Sequence, residues 1–386
     1  MIDVGKLTLE RELTGFLALE TTYGQLPQFT SSHGIGLLGL PKATQAESFT
    51  DLEEVRNAAS RPGRVRDLTP AGSVSFSLYA RPSGAAGTPP TAAAALKAAT
   101  GVETINAGAS VVYSPAIQLP SLSLGFRVGA TLTRFVVGLV VEEFKTSGGP
   151  KGAIKHDLTG KCMAIMQAGR ASTMAGSTST VIKLEAGGAK LFDKGALVQV
   201  DADNNTGQGY TVSDFDEAAD TITVTPALAS APAAGLSVQG YLPTHSLAGN
   251  VLEGRLCGVS IGGLDLPVTE WEVSIKRTIK MLDDLTQPGG DYAVQGFAPM
   301  ERQVTVSCKT IFQGPHLAYF RQARNQTQAA LLLGGGSIAG RKLNISLPRC
   351  EVNTPEISGK GVFELPLAFE AMPSAAGEDE ITYTFL

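Results

Sequence analysis

The chain has 386 residues, enough for two or three domains and a sizeable core, and is 43% apolar but only 17% charged, against about 25% charged in an average globular protein. Its apolar content excludes a disordered chain, and a formal net charge of −5 excludes a surface built as a whole to grip DNA or an anionic membrane. With 44 Gly and 21 Pro, the composition points to a β-rich protein with many turns and much surface buried against other subunits.

Residues 1–40 predict two strands, Lys6–Leu13 and Phe16–Thr22, with a turn at Gly15. The first residues carry no signal-peptide pattern, and no apolar run approaches the 18 residues of a membrane span. The expectation is a soluble chain made in the cytoplasm. Gly34-Ile35-Gly36-Leu37-Leu38-Gly39 has the spacing of a dinucleotide-binding loop. That chemistry needs a helix N-terminus facing the pyrophosphate, and Pro41 prevents one from starting there, so the segment reads as a turn.

Residues 41–71 form a long excursion, in which the capping-box spacing Thr50-Asp51-Leu52-Glu53 predicts a short helix. Arg56, Arg61, Arg64 and Arg66 come nearest to a basic cluster. They are interleaved with Glu53, Glu54 and Asp67, which makes a solvated or subunit-contact loop the plainer reading than a phosphate patch. A strand over Ser73–Tyr79, a Gly/Pro linker over Pro82–Pro90 and an Ala-rich helix ending at Gly101 follow. Strands then dominate through Met166.

Residues 176–242 read as a small inserted β domain, with short alternating segments punctuated by Asp and Gly. Asp201-Ala202-Asp203-Asn204-Asn205-Thr206-Gly207 approaches a calcium loop, but Gly is displaced by one and the twelfth position is Val212 instead of a bidentate Glu. A hairpin turn is the simpler account. After the insert, strands are predicted at 251–259, 271–276, 304–311, 343–347 and 361–369, with a second long polar loop over 281–300 and a helix over His316–Arg324. Gly258-Val259-Ser260-Ile261-Gly262 has the spacing of a nucleophile elbow, yet a strand follows it and only His316 lies downstream, so a turn at Gly262-Gly263 is expected.

The two flanking parts carry matching patterns. Glu142, Lys151, Gly152, Leu158 and Met163 recur as Glu351, Lys360, Gly361, Leu367 and Met372, each 209 positions later. Each copy is preceded by an alternating strand (Ser73–Leu78, Gln303–Cys308) and a helix. This order implies a duplication. The expected fold is therefore mainly β: sandwich or half-barrel domains at 1–175 and 243–386, each with a packed helix, and the insert at 176–242 between them.

Catalytic chemistry finds little support. Cys162, Cys257, Cys308 and Cys350 lie in apolar strand contexts without metal-ligand spacing, as free thiols of a reducing compartment do. The four His are scattered, and the adjacent acids Glu53-Glu54, Glu142-Glu143 and Asp283-Asp284 point to opposite faces of a strand. No enzyme activity, cofactor or metal is expected.

Taken together, Phe16-Leu17-Ala18-Leu19-Glu20-Thr21-Thr22-Tyr23-Gly24, the strand–linker–helix Gly72–Gly101 with Arg81-Pro82-Ser83-Gly84, and the part from Leu256 to Leu386 with Pro288-Gly289-Gly290 resemble the tail tube proteins of long-tailed bacteriophages. The resemblance implies a structural virion protein, assembled in the host cytoplasm, whose sheets join those of sister subunits into stacked rings around a channel for DNA. A tape measure protein is its implied partner during assembly. Duplication would allow a ring of three chains with pseudo-sixfold symmetry; without it six are needed. The expected ring-to-ring contacts are Lys42, Glu53, Arg56 and Arg64 in the first long loop against Asp283, Asp284 and Asp291 in the second, by charge complementarity. A distal tail or baseplate adaptor ring and a ligand-binding β-sandwich are the alternatives.

Overall fold

The computed structural model describes residues 12–53, 63–283, 292–359 and 362–386. It is mainly β, with 51% strand and 9% helix. The strands that carry the architecture are β1 (Leu13–Leu19), β2 (Lys42–Thr44), β3 (Gly72–Tyr79), β4 (Ser110–Pro115), β5 (Leu122–Val128), β6 (Leu132–Gly148), β7 (Lys155–Cys162) and β8 (Ala164–Ala168). Beyond residue 250 come β9 (Cys257–Ile261), β10 (Val268–Asp283), β11 (Val294–Ile311), β12 (Ala329–Gly335), β13 (Leu343–Val352), β14 (Glu364–Ala371) and β15 (Thr382–Phe385). Helix α1 spans Ala93–Thr100 and α2 spans Leu317–Asn325.

One antiparallel sheet runs in the order β2–β3–β7–β6–β10–β11–β14–β13. Period-2 alternation explains it: Val74, Phe76 and Leu78 of β3, Phe144 of β6, Val273 and Ile275 of β10, and Val304 and Val306 of β11 all turn to one buried face. Each strand's intervening residues are polar. The ladders branch at β6 and at β13 and, among the described residues, nowhere return on themselves, so the sheet is open.

The branch at β6 is made by Gly138, whose φ of +64° breaks the pleat. Before it, β6 lies between β5 and β8; beyond it, between β7 and β10. The Glu20 carboxylate fixes this point. It accepts the Gly138 and Gly24 N–H groups at 2.6 and 2.8 Å and the Ser123 and Ser121 hydroxyls, both at 2.6 Å.

The same pairing order occurs in both parts of the chain. Strands β3–β7–β6 correspond to β11–β14–β13; β1 pairs β5 as β9 pairs β12, and β8 pairs the first half of β6 as β15 pairs that of β13. The single spacing of 209 is not kept: counted across the ladders, Leu158 and Phe144 take the places of Phe369 and Val352. A bulge between Val141 and Glu143 accounts for part of the drift.

Three sequence expectations are corrected. Gly15 lies within β1, opposite Phe126, and a Cβ there would come to 2.5 Å from Leu37 Cδ1; close packing, not a turn, requires the glycine. Thr50 lies in a strand, Phe49–Asp51, paired with Arg64–Arg66. Its hydroxyl donates to Asp67 at 2.9 Å instead of capping a helix. Of the predicted loop 281–300, residues 281–283 end β10 and 294–300 begin β11, where Ile279, Met281 and Phe297 pack with Leu119, Val140 and Tyr23; residues 284–291 lie outside the described residues. The predicted strand Lys6–Leu13 lies mostly outside the described residues.

Helix α1 buries Leu96 together with Ala95, Ala98 and Ala99, whose small side chains let it approach the strands closely, whereas α2 has no fully buried residue. Residues 170–240 contain a six-stranded sheet. Its Val198, Val212, Ile222 and Val238 share a core with Phe16, Phe29 and Phe135 of the first part.

Candidate functional site: sheet margins and polar face

The central element is the seam where the two parts of the chain meet. Distal β6 and β10 pair Glu143 with Lys276, Phe144 with Ile275, Thr146 with Val273 and Gly148 with Trp271. Trp271 is buried, and the Gly148 backbone lies so close that a Cβ would sit 2.7 Å from indole Cζ2. Behind the seam, Thr146 Oγ1 bridges His156 Nδ1 at 3.0 Å and the Tyr383 hydroxyl at 3.1 Å. Burial drives the His156 pKa down to about 3, so the ring is neutral at physiological pH. A second junction pairs β15 with β4, Tyr383 opposite Tyr113.

The root of the β10–β11 hairpin is held by charge. Arg302 makes a bidentate pair with Glu380, both contacts at 2.7 Å, and Arg277 and Arg302 both donate to the Ala116 carbonyl. Burial and the adjacent Arg302 cation lower the Arg277 pKa to about 10.

On the opposite face the sheet is polar. Ser73, Ser75 and Ser77 of β3, Lys155, Asp157 and Thr159 of β7, Lys145 and Ser147 of β6, and Gln303, Thr305 and Ser307 of β11 alternate with the buried set. Three of its lysines stand beside acids. Lys145 Nζ lies 3.5 Å from Glu143 and 3.8 Å from Glu272; Lys309 Nζ lies 3.2 Å from Glu270 and 3.3 Å from Glu364; Lys161 Nζ lies 3.1 Å from Glu142. Such exposed pairs add little stability. Their effect is to cancel positive charge locally across the face.

The long-loop residues are distributed as follows. Lys42 is exposed on β2 at the sheet margin. Arg64 is exposed on its hairpin, its guanidinium carbon 4.3 Å from the centroid of the Phe49 ring. Glu53 is exposed near that hairpin and Asp283 ends β10. Arg56, Asp284 and Asp291 lie outside the described residues. The two loops meet at their roots: Thr69 bridges to Tyr292, and its carbonyl accepts the Ala293 N–H at 3.0 Å. Sequence reasoning missed the seam and the Glu20 site, although the alternation Trp271–Lys276 already marked a two-faced strand.

The tempting motifs resolve into local structure. Gly262 and Gly263 form a turn with φ of +59° and +84°, and the Asp203 carboxylate accepts the Tyr210 hydroxyl at 2.8 Å and the Asn205 N–H at 3.2 Å. Among the described residues, no cluster of three or more His, Cys, Asp or Glu could hold a metal.

An open sheet with a polar face and, among the described residues, margins without a ladder partner suits a protein completed by its own copies, and the family comparison agrees. A family model for phage tail tube protein matches residues 13–371. The chain belongs to the phage tail tube protein family. No curated protein matches it. As a tail tube protein it has a structural role, self-assembles into the tube and is a component of the virion tail. No helix among the described residues of this tail tube protein is long and apolar enough to cross a membrane.

Proposed function

We propose that the chain is a duplicated tube subunit, three copies of which close a ring with pseudo-sixfold symmetry. The rings stack into a tube that conducts DNA from capsid to host. The observation that carries this reading is the β6–β10 ladder. Two similarly ordered parts of one chain share a sheet across it, as neighbouring subunits of a ring would.

The polar face of that sheet lines the bore. Three of its lysines, Lys145, Lys161 and Lys309, each lie beside one or two glutamates, which weakens any phosphate-binding track for sliding DNA, since tight binding through counterion release needs unopposed cations. During assembly the tape measure protein occupies the same space. The six-stranded sheet of residues 170–240 decorates the outside, and assembly takes place in the host cytoplasm.

The hairpin bearing Arg64 and the arm ending at Asp283 contact the adjacent ring, together with Glu53, Arg56, Asp284 and Asp291 in the same loops. Because Thr69 and Tyr292 bring the two loops to a common root, both would engage the same neighbouring ring. Lys42, on a sheet margin, is assigned to the joint within a ring.

Negative-stain microscopy of concentrated protein tests the proposal. Rings that stack into hollow tubes are expected, and Asp283→Lys is expected to weaken stacking. Single unstacked rings would favour an adaptor, and monomers at every concentration would refute assembly altogether.

A further inference from the structure

The internal seam identifies the strands that join one copy to the next; this deepens the ring reading above and rests on it. The long sheet has two margins without a ladder partner among the described residues. One is β2, which pairs only with β3. The other is the outer edge of β13 from Glu351 onward, whose inner edge pairs with β14. Lys42 and Thr44 are exposed on one, on either side of the buried Ala43, and Asn353 and Thr354 are exposed on the other, just after the buried Val352. Unpaired margins of this kind invite strand addition.

Inside the chain, the equivalents of these two margins already pair. Val74 faces Ala43 across β3–β2 as Val304 faces Ile275 across β11–β10. Ala43 therefore holds the place of Ile275, Thr44 that of Lys276 and Lys42 that of Ser274. Crossing the sheet the other way, Phe76–Leu158–Phe144 corresponds to Val306–Phe369–Val352. Val352 therefore holds the place of Phe144, Glu351 that of Glu143 and Asn353 that of Lys145. Burial agrees: Ala43, Ile275, Phe144 and Val352 all point inward.

We infer that β2 of one copy adds antiparallel to the outer edge of β13 in the next, with Ala43 opposite Val352, Thr44 opposite Glu351 and Lys42 opposite Asn353. In the internal seam Ser274 Oγ lies 3.2 Å from Glu143 Oε1. The corresponding residues between copies are Lys42 and Glu351, so a hydroxyl–carboxylate contact becomes an ion pair. Pro41 and Pro355 flank the two segments and lack the N–H that would extend the ladder, which limits this joint to a short run. The two margins differ, so the contact is head-to-tail and closes only by going round a ring.

Single variants Lys42→Cys and Asn353→Cys, mixed in equal amounts, assembled and mildly oxidised, test the assignment. A disulfide-linked dimer is expected from the mixture and from neither variant alone. Lys42→Glu is expected to raise the concentration needed for ring formation about tenfold, equivalent to about 1.4 kcal/mol, and Glu351→Lys in the same chain to restore it. Rings that form without the cross-link, and without a response to Lys42→Glu, overturn the strand assignment while leaving the tube reading intact. Failure of the unmodified protein to form rings at any concentration overturns both.

Discussion

Gly148 and Trp271 face each other across the seam between the two parts of the chain, and the indole occupies the space a side chain at 148 would need. Gly148→Ala forces a Cβ to 2.7 Å from Cζ2, and relief requires the seam to open or the indole to leave its pocket. The expected loss is about 1–3 kcal/mol, the usual cost of overpacking. Because Trp271 is the sole tryptophan, a red shift in emission reports the displacement directly. Unchanged stability and emission would show that the seam yields freely.

Glu20 receives four hydrogen bonds, two from backbone N–H groups and two from hydroxyls. Glu20→Gln replaces one accepting oxygen with a donor that meets other donors. The expected cost is about 1–3 kcal/mol, that of leaving buried donors unsatisfied. Chemical denaturation of the variant checks it, with Ser123→Ala as a milder comparison that removes only one donor.

His156 predicts acid sensitivity. Its native pKa of about 3 lies below the ordinary value of 6.5, so between these limits the unfolded chain binds a proton that the native one refuses. Stability therefore falls as pH drops below about 6.5, by up to about 1.4 kcal/mol per unit from this group, and the contribution levels off near pH 3. His156→Leu is expected to flatten the profile between pH 6.5 and 4. An identical slope in both proteins would remove the histidine from the explanation.

If the polar face lines the bore, its neutrality depends on Glu143 and Glu272, which flank Lys145. The double variant Glu143→Gln/Glu272→Gln frees that cation in every copy. Tubes of the variant are expected to retain DNA at low salt and release it as salt rises, which a filter-binding titration would detect. Salt-independent behaviour matching the parent would argue that this face is turned away from DNA.

Deletion of residues 173–241 is expected to destabilise the whole chain, although a decorating module could ordinarily be removed. The reason is the shared core: Phe16, Phe29 and Phe135 are buried together with Ile182, Val198 and Val212. Removing the latter uncovers large apolar surface at about 25 cal/mol per Å². A soluble deletion variant that melts at the parent temperature would contradict the shared core.

By itself the sequence determined the β-rich class, the strand faces and the helices after Ser73–Tyr79 and Gln303–Cys308. These follow from local information: alternation fixes which side chains of a strand point together, and Pro and Gly punctuate helices within a few residues. Only the tertiary structure decided that Thr50 joins a hairpin, that Gly15 lies within a strand and that residues 281–283 continue one. Each of those outcomes depends on partners distant in sequence, such as Asp67, Leu37 and Tyr23. The β6–β10 seam is the extreme case. Backbone hydrogen bonds are nearly indifferent to side-chain identity, so no residue pattern announces which edge a strand will choose; the choice emerges when both faces of the sheet must be packed at once.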